Sequence, residues 1–164
     1  MNPQSITNQK NSRKVFQYST KIAADLATVT HFHEKADALN ILTPPPLIVK
    51  INNDQRVSLT KGSVDFTLWF GPIPVRWLAR HEPGPNANSF IDRMMQGPMA
   101  YWEHQHVFRK SGIGVELIDK LTFQHHDGWR GWITRLAFDG FALRFLFWYR
   151  HWRTERECRK MKTA

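Results

Sequence analysis

From Leu47 to Phe123 the chain passes through six strand-like stretches in close succession, and the gaps between them are rich in residues that turn a chain rather than extend it. The stretches are Leu47 to Ile51, Val64 to Phe70, Val75 to His81, Phe90 to Gln96, Ala100 to Arg109 and Val115 to Phe123. Asn52-Asn53-Asp54, Gly71-Pro72, Pro83-Gly84-Pro85 and Ser111-Gly112 stand among the separators. Links this short let consecutive strands pair antiparallel, whereas parallel pairing needs a long crossover. An antiparallel meander is therefore expected. A further alternating stretch, Val15 to Ile22, precedes it. Ala24 to Leu42 then reads as one or two short helices, stopped by Pro44-Pro45-Pro46, which cannot continue a helix.

After Gly131 the hydrophobic period changes from two to that of a helix. Leu136 to Lys160 reads as one long helix with Phe138, Phe141, Ala142, Phe145, Tyr149 and Trp152 on one face at three- and four-residue spacing. A sheet with one apolar face needs a cover, and this helix is the element long enough to supply it. The expected fold is α+β: a curved antiparallel sheet wrapped around a long C-terminal helix, with two short helices after the first strand. One domain is expected over 14–153. A disordered polar tail over 1–13 precedes it and a basic helix end over 154–164 follows. A curved sheet gripping a helix leaves space for a cavity between them.

The stretch Gly97 to Phe108 suggests what that cavity holds. Alternation places Trp102, His104, His106 and Phe108 on one face, a mixture typical of an apolar ligand pocket with a few placed polar groups. The same rule puts Trp77 and His81 inward on one neighbouring strand, Phe90, Asp92 and Met94 on a second, and Leu117, Asp119, Leu121 and Phe123 on a third. Carboxylates on an apolar face must be paired, hydrogen-bonded or protonated, and the histidines are the nearest partners. The candidate ligand-binding set is Trp77, His81, Asp92, Met94, Trp102, His104, His106, Phe108, Asp119, Phe123, Phe141, Phe145 and Tyr149.

Three readings of the polar cluster stay open at this level. It is a buried network that fixes strand register, an anchor for the polar end of a ligand, or a catalytic set in which His104 or His106 acts as general base beside Asp119. Nothing selects a nucleophile. His-x-His on a strand also presents two imidazoles side by side, but that spacing arises readily among eight histidines, so no metal and no cofactor are assigned. The second such pair, His31 and His33, falls on an expected helix, where residues two apart do not share a face.

Composition narrows the classes further. The single cysteine, Cys158, excludes an internal disulfide framework and reads as an incidental thiol of a reducing, cytoplasmic setting. No apolar run is long enough to span a bilayer, and the N-terminal residues show no secretory signal pattern. Glycine-rich phosphate loops, GxSxG and CxxC are absent, and no nucleic-acid recognition motif accompanies the basic residues. The net charge of +9 is concentrated at the end, where seven cationic side chains from Arg144 to Lys162 face only Glu155 and Glu157. Such a segment meets phosphate groups, giving weak peripheral contact with membranes, or is simply a solvated helix end whose cations complement the macrodipole.

LTPPP at Leu42 to Pro46, WLARH at Trp77 to His81, FIDRMMQGPMAYWEHQHVF at Phe90 to Phe108, LIDKLTF at Leu117 to Phe123 and FWYRH at Phe147 to His151 together resemble the START-like, or SRPBCC, superfamily. Within it they look most like bacterial ligand-binding proteins grouped near polyketide cyclase/dehydrase and lipid-transport members. The resemblance implies a helix-grip fold with a deep hydrophobic cavity and no single function. Methionine after Gly97-Pro98, where many relatives would carry phenylalanine, departs from the pattern.

The function expected is binding, or carriage, of a hydrophobic or amphipathic small molecule between sheet and C-terminal helix. The alternatives are a cyclase- or dehydratase-like enzyme using His/Asp acid-base chemistry and a lipid-exchange protein docking on anionic membranes.

Overall fold

The computed structural model describes residues 13–163. The tail expected over 1–13 lies outside the described residues except for Arg13, whose guanidinium sits 3.7 Å over the Tyr101 ring. Seven strands form one sheet: β1 (Lys14–Ile22), β2 (Ile48–Asp54), β3 (Gly62–Phe70), β4 (Ile73–Pro83), β5 (Ser89–Gln96), β6 (Tyr101–Ser111) and β7 (Gly114–Gln124). Their order is β1-β7-β6-β5-β4-β3-β2, and every pairing is antiparallel. The expected meander is thus β2 to β7, with β1 added along β7. Two short helices follow β1, α1 (Leu26–Glu34) and α2 (Ala38–Ile41). Asp25 caps the first, its carboxylate accepting from the Thr28 backbone N–H at 2.8 Å.

The long helix expected from Leu136 is two helices, α3 (Gly128–Phe138) and α4 (Gly140–Thr163). The break falls at Gly140, whose φ of +54° is left-handed and costs glycine little. Asp139 at the junction accepts from the Gly140 backbone N–H and pairs with Lys14 on β1.

The face of α4 also differs from expectation. Leu143, Phe147, His151, Thr154 and Cys158 are buried, whereas Phe141 is 84% exposed, Phe145 43% exposed and Trp152 exposed. Both sides of this helix carry bulky rings, so period alone selects the richer stripe. Packing selects the other, because the Phe147 ring lies tilted against Phe16 at 5.2 Å and edge to face with His104 at 5.0 Å while His151 reaches into the sheet to Asp119. The segment expected as a basic helix end is the last part of α4. Its Cys158 is buried against Ile22, Val29 and Phe32, and burial pushes the thiol up to about 11, so it is a core residue rather than an incidental surface thiol.

Two apolar clusters divide the interior. One gathers Ile22, Phe32, Phe90, Phe108 and Leu117; the other gathers Trp77, Trp102, Phe123, Phe138, Leu143 and Phe147. Along β6 the sequence passes from Trp102 in the second cluster to Phe108 in the first, and along β7 from Leu117 to Phe123. His104, His106 and Asp119 occupy the inward positions in between.

Candidate functional site

Strand register brings the polar residues together in two rows. His81, Asp92 and His104 are cross-strand partners in sequence, as are Phe90, His106 and Asp119. Diagonal contacts then join the rows. His106 Nε2 donates to Asp92 Oδ2 at 3.1 Å, and His106 Nδ1 lies 2.8 Å from Asp119 Oδ1. His104 Nε2 approaches the same Asp119 oxygen at 3.1 Å, and His81 Nε2 approaches Asp92 Oδ1 at 2.9 Å. The other Asp119 oxygen accepts from His151 Nε2 at 2.8 Å, and Thr20 Oγ1 meets His151 Nδ1 at 2.7 Å. Helix α4 is thereby tied to the polar core of the sheet.

These contacts decide which groups are charged. Burial opposes charge on His106, but Asp119 and Asp92 flanking its two nitrogens more than offset that and raise its pKa to about 9. Burial likewise opposes charge on both carboxylates, yet the adjacent histidines hold Asp92 and Asp119 well below the usual carboxylate range. His104 goes the other way: burial and the neighbouring His106 cation lower it to about 4. His33 on α1 is lowered to about 4 for the same two reasons. Its Nδ1–H donates to the Val29 carbonyl at 2.8 Å, which leaves Nε2 as the ring's lone pair.

A cavity of about 140 Å³ lies against this cluster. Its apolar wall includes Phe66, Trp77, Trp102, Phe138 and Phe147, with Trp77 and Trp102 edge to face at 5.3 Å. Its polar wall includes His33, His81, Asp92, His104, His106, Arg56 and Arg150. Arg56 is paired with Asp54 at 2.5 Å. Arg150, from α4, has no carboxylate in ion-pair range among the described residues; burial lowers its pKa, and attraction to Asp119 and Asp92 partly counters this.

Of the residues expected at the site, Trp77, His81, Asp92, Trp102, His104 and His106 line the cavity. Asp119 sits behind His104 and His106, and Phe108 and Phe123 belong to the apolar clusters. Met94 packs at the edge of the second cluster. Phe141, Phe145 and Tyr149 do not reach the cavity, because α4 turns that face outward. Sequence reasoning missed His33, Arg56 and Arg150, and it placed Phe90 on the inward face without assigning it to the site. The signal for Arg150 was its three-residue spacing from Phe147, legible only once Phe147 is known to point inward.

Asp92, His104 and His106 place ligand atoms within 4.8 Å of one another, a donor set suited to a zinc-like cation. Any such ion competes with the proton that His106 donates to Asp92.

No family model matches the sequence, and no curated protein matches it. Solved structures do match. A protein of unknown function from Staphylococcus aureus superposes with a TM-score of 0.71 at 10% identity, covering 96% of this chain and 100% of that one. A norcoclaurine synthase point mutant from Thalictrum, in complex with a transition-state analogue, gives 0.66 at 12% identity, covering 93% and 98%. The Zhui aromatase/cyclase from Streptomyces gives 0.62 at 12% identity, covering 90% and 92%.

The chain has the helix-grip fold. The same fold serves a synthase, a cyclase and proteins without assigned activity, so function must be argued from the cavity. No helix among the described residues is long and apolar enough to cross a membrane.

Proposed function

We propose that this protein binds a compact amphipathic molecule with an acidic head, its apolar body against Trp77 and Trp102 and its head at Arg150. The observation that carries the reading is Arg150, which lines the cavity beside its apolar wall and has no carboxylate in ion-pair range among the described residues. A planar, permanently charged fork in that setting recognises a carboxylate well. The neutral imidazoles of His33 and His104 beside it offer further hydrogen bonds. The volume matters as well. About 140 Å³ is close to the space that accommodates a single benzene ring in an apolar protein cavity, so the body is on the scale of one ring or a short chain.

Binding is preferred to catalysis on chemical grounds. His106 has both nitrogens against carboxylates and no lone pair left to take a proton from a substrate. His104 at about 4 is a weak base at neutral pH.

Titration with 3-phenylpropionate and with 3-phenylpropanol, followed through tryptophan fluorescence, tests the reading. The acid is expected to bind with one site and more tightly than the alcohol, and Arg150→Gln is expected to remove that difference. Equal affinity for the two probes in the parent protein would remove the acidic head. Failure of both to bind, together with no small molecule released from protein purified from its own host and analysed by native mass spectrometry, would remove the binding function.

A further inference from the structure

The aromatic stripe that α4 turns away from the sheet has no partner among the described residues. At about 100° per residue, Phe141, Phe145, Trp148 and Trp152 fall within an arc of roughly 60° on that helix, opposite Leu143 and Phe147. All four are exposed. Three of them form a continuous surface: Phe145 lies 5.7 Å from Trp148, and Trp148 stacks on Trp152 at 6.2 Å. Helix α3 repeats the arrangement, with Trp129, Trp132, Ile133 and Leu136 exposed at one-turn spacing while Gly131, Thr134 and Phe138 face inward.

Arginines border both stripes. On α3 these are Arg130, whose guanidinium lies 5.7 Å from the Trp129 ring, and Arg135. On α4 they are Arg144 and Arg156, the latter 5.6 Å from the Trp152 ring. Glu155 and Glu157, the acidic residues of α4, are already paired with Arg159 and with Arg153 and Lys160.

We propose that the outward faces of α3 and α4 dock this protein on an anionic lipid bilayer. Tryptophan with interleaved arginine is the composition that partitions to the headgroup region, ring in the acyl boundary and cation among phosphates. Charge complementarity selects that occupant over a second copy of the chain. A two-fold contact through this face would bring like patches of arginine together on a protein already carrying +9. An anionic surface attracts the same groups. The cavity lies next to this face, since Phe138 on α3 and Leu146 on α4 line it from their other sides. The proposal stands independently of what the cavity holds.

Co-sedimentation with phosphatidylglycerol/phosphatidylcholine vesicles and with phosphatidylcholine alone tests it, alongside tryptophan quenching by brominated lipid. Binding to the anionic vesicles is expected, weakening as salt is raised, with tryptophan emission quenched. Trp148→Glu/Trp152→Glu and Trp132→Glu/Leu136→Glu alter exposed side chains only. Each pair is expected to lower partitioning by roughly tenfold or more while circular dichroism and 3-phenylpropionate binding stay unchanged. Absence of binding to anionic vesicles would overturn the proposal. So would binding that both variants retain. A concentration-dependent dimer in analytical ultracentrifugation, dissociated by the same variants and without vesicle binding, would assign the face to a second copy instead.

Discussion

His106 Nδ1 lies 2.8 Å from Asp119 Oδ1, with both side chains almost fully buried, and this contact sets the charge state of the whole cluster. The two atoms are not aligned as a hydrogen bond, yet the carboxylates of Asp119 and Asp92 beside the ring raise its pKa to about 9, so His106 carries its proton at neutral pH. The other nitrogen donates to Asp92. A buried imidazolium between two carboxylates follows, and the neighbouring His104 is kept neutral by it.

Stability is expected to peak near pH 6.5. His106 rises from 6.5 to about 9 on folding, so its contribution is fully present below pH 6.5 and is lost as pH climbs through 9. At about 1.4 kcal/mol per pH unit, that loss is on the order of 3 kcal/mol. His33 and His104 fall to about 4 on folding, so their contribution is present above pH 6.5 and is lost as pH falls towards 4. Urea denaturation from pH 4 to pH 10 measures the curve. His106→Gln should flatten its alkaline limb, and an unchanged limb would show that His106 does not carry the charge.

Asp119→Ala is expected to cost about 3–5 kcal/mol, because it leaves a buried imidazolium short of one counter-charge and removes the acceptor of His151. Asp119→Asn keeps the volume. In that variant the His106 pKa, followed by NMR titration, should drop below its parent value of about 9.

The two faces of α4 make opposite predictions. Phe147→Ala removes a ring that is 1% exposed and should destabilise by about 3–5 kcal/mol. Phe141→Ala should stay within about 0.5 kcal/mol. Comparable losses would mean that Phe141 is covered in the native state.

Binding of a carboxylate is expected to take up a proton. Asp92, Asp119, His106 and Arg150 carry charges that cancel, so an added anion leaves the cluster negative and raises the affinity of His104 or His33 for a proton. Calorimetric titration of 3-phenylpropionate in phosphate and in Tris should give heats that differ by the ionisation enthalpies of the buffers. Affinity should rise as the pH is lowered from 8 to 6. The alcohol probe should show neither effect.

Much of the sheet was legible from local pattern. Alternation places side chains on one face or the other regardless of what lies beyond, so the seven strands and the inward positions of Trp77, His104, His106 and Asp119 follow from spacing and turn residues. Their convergence does not, because it depends on register, and register is set between strands: Asp92 meets His106 only along a diagonal of the β5–β6 ladder. The helix shows the limit more sharply. A helix with rings on two sides has two apolar stripes, and its sequence cannot say which one the sheet will accept. Packing decided for the stripe that contains Phe147, Arg150 and His151, since only that choice lets His151 reach Asp119 and seats Phe147 against Phe16. The same rotation carried Arg150 into the cavity and left Phe141, Phe145, Trp148 and Trp152 facing outward.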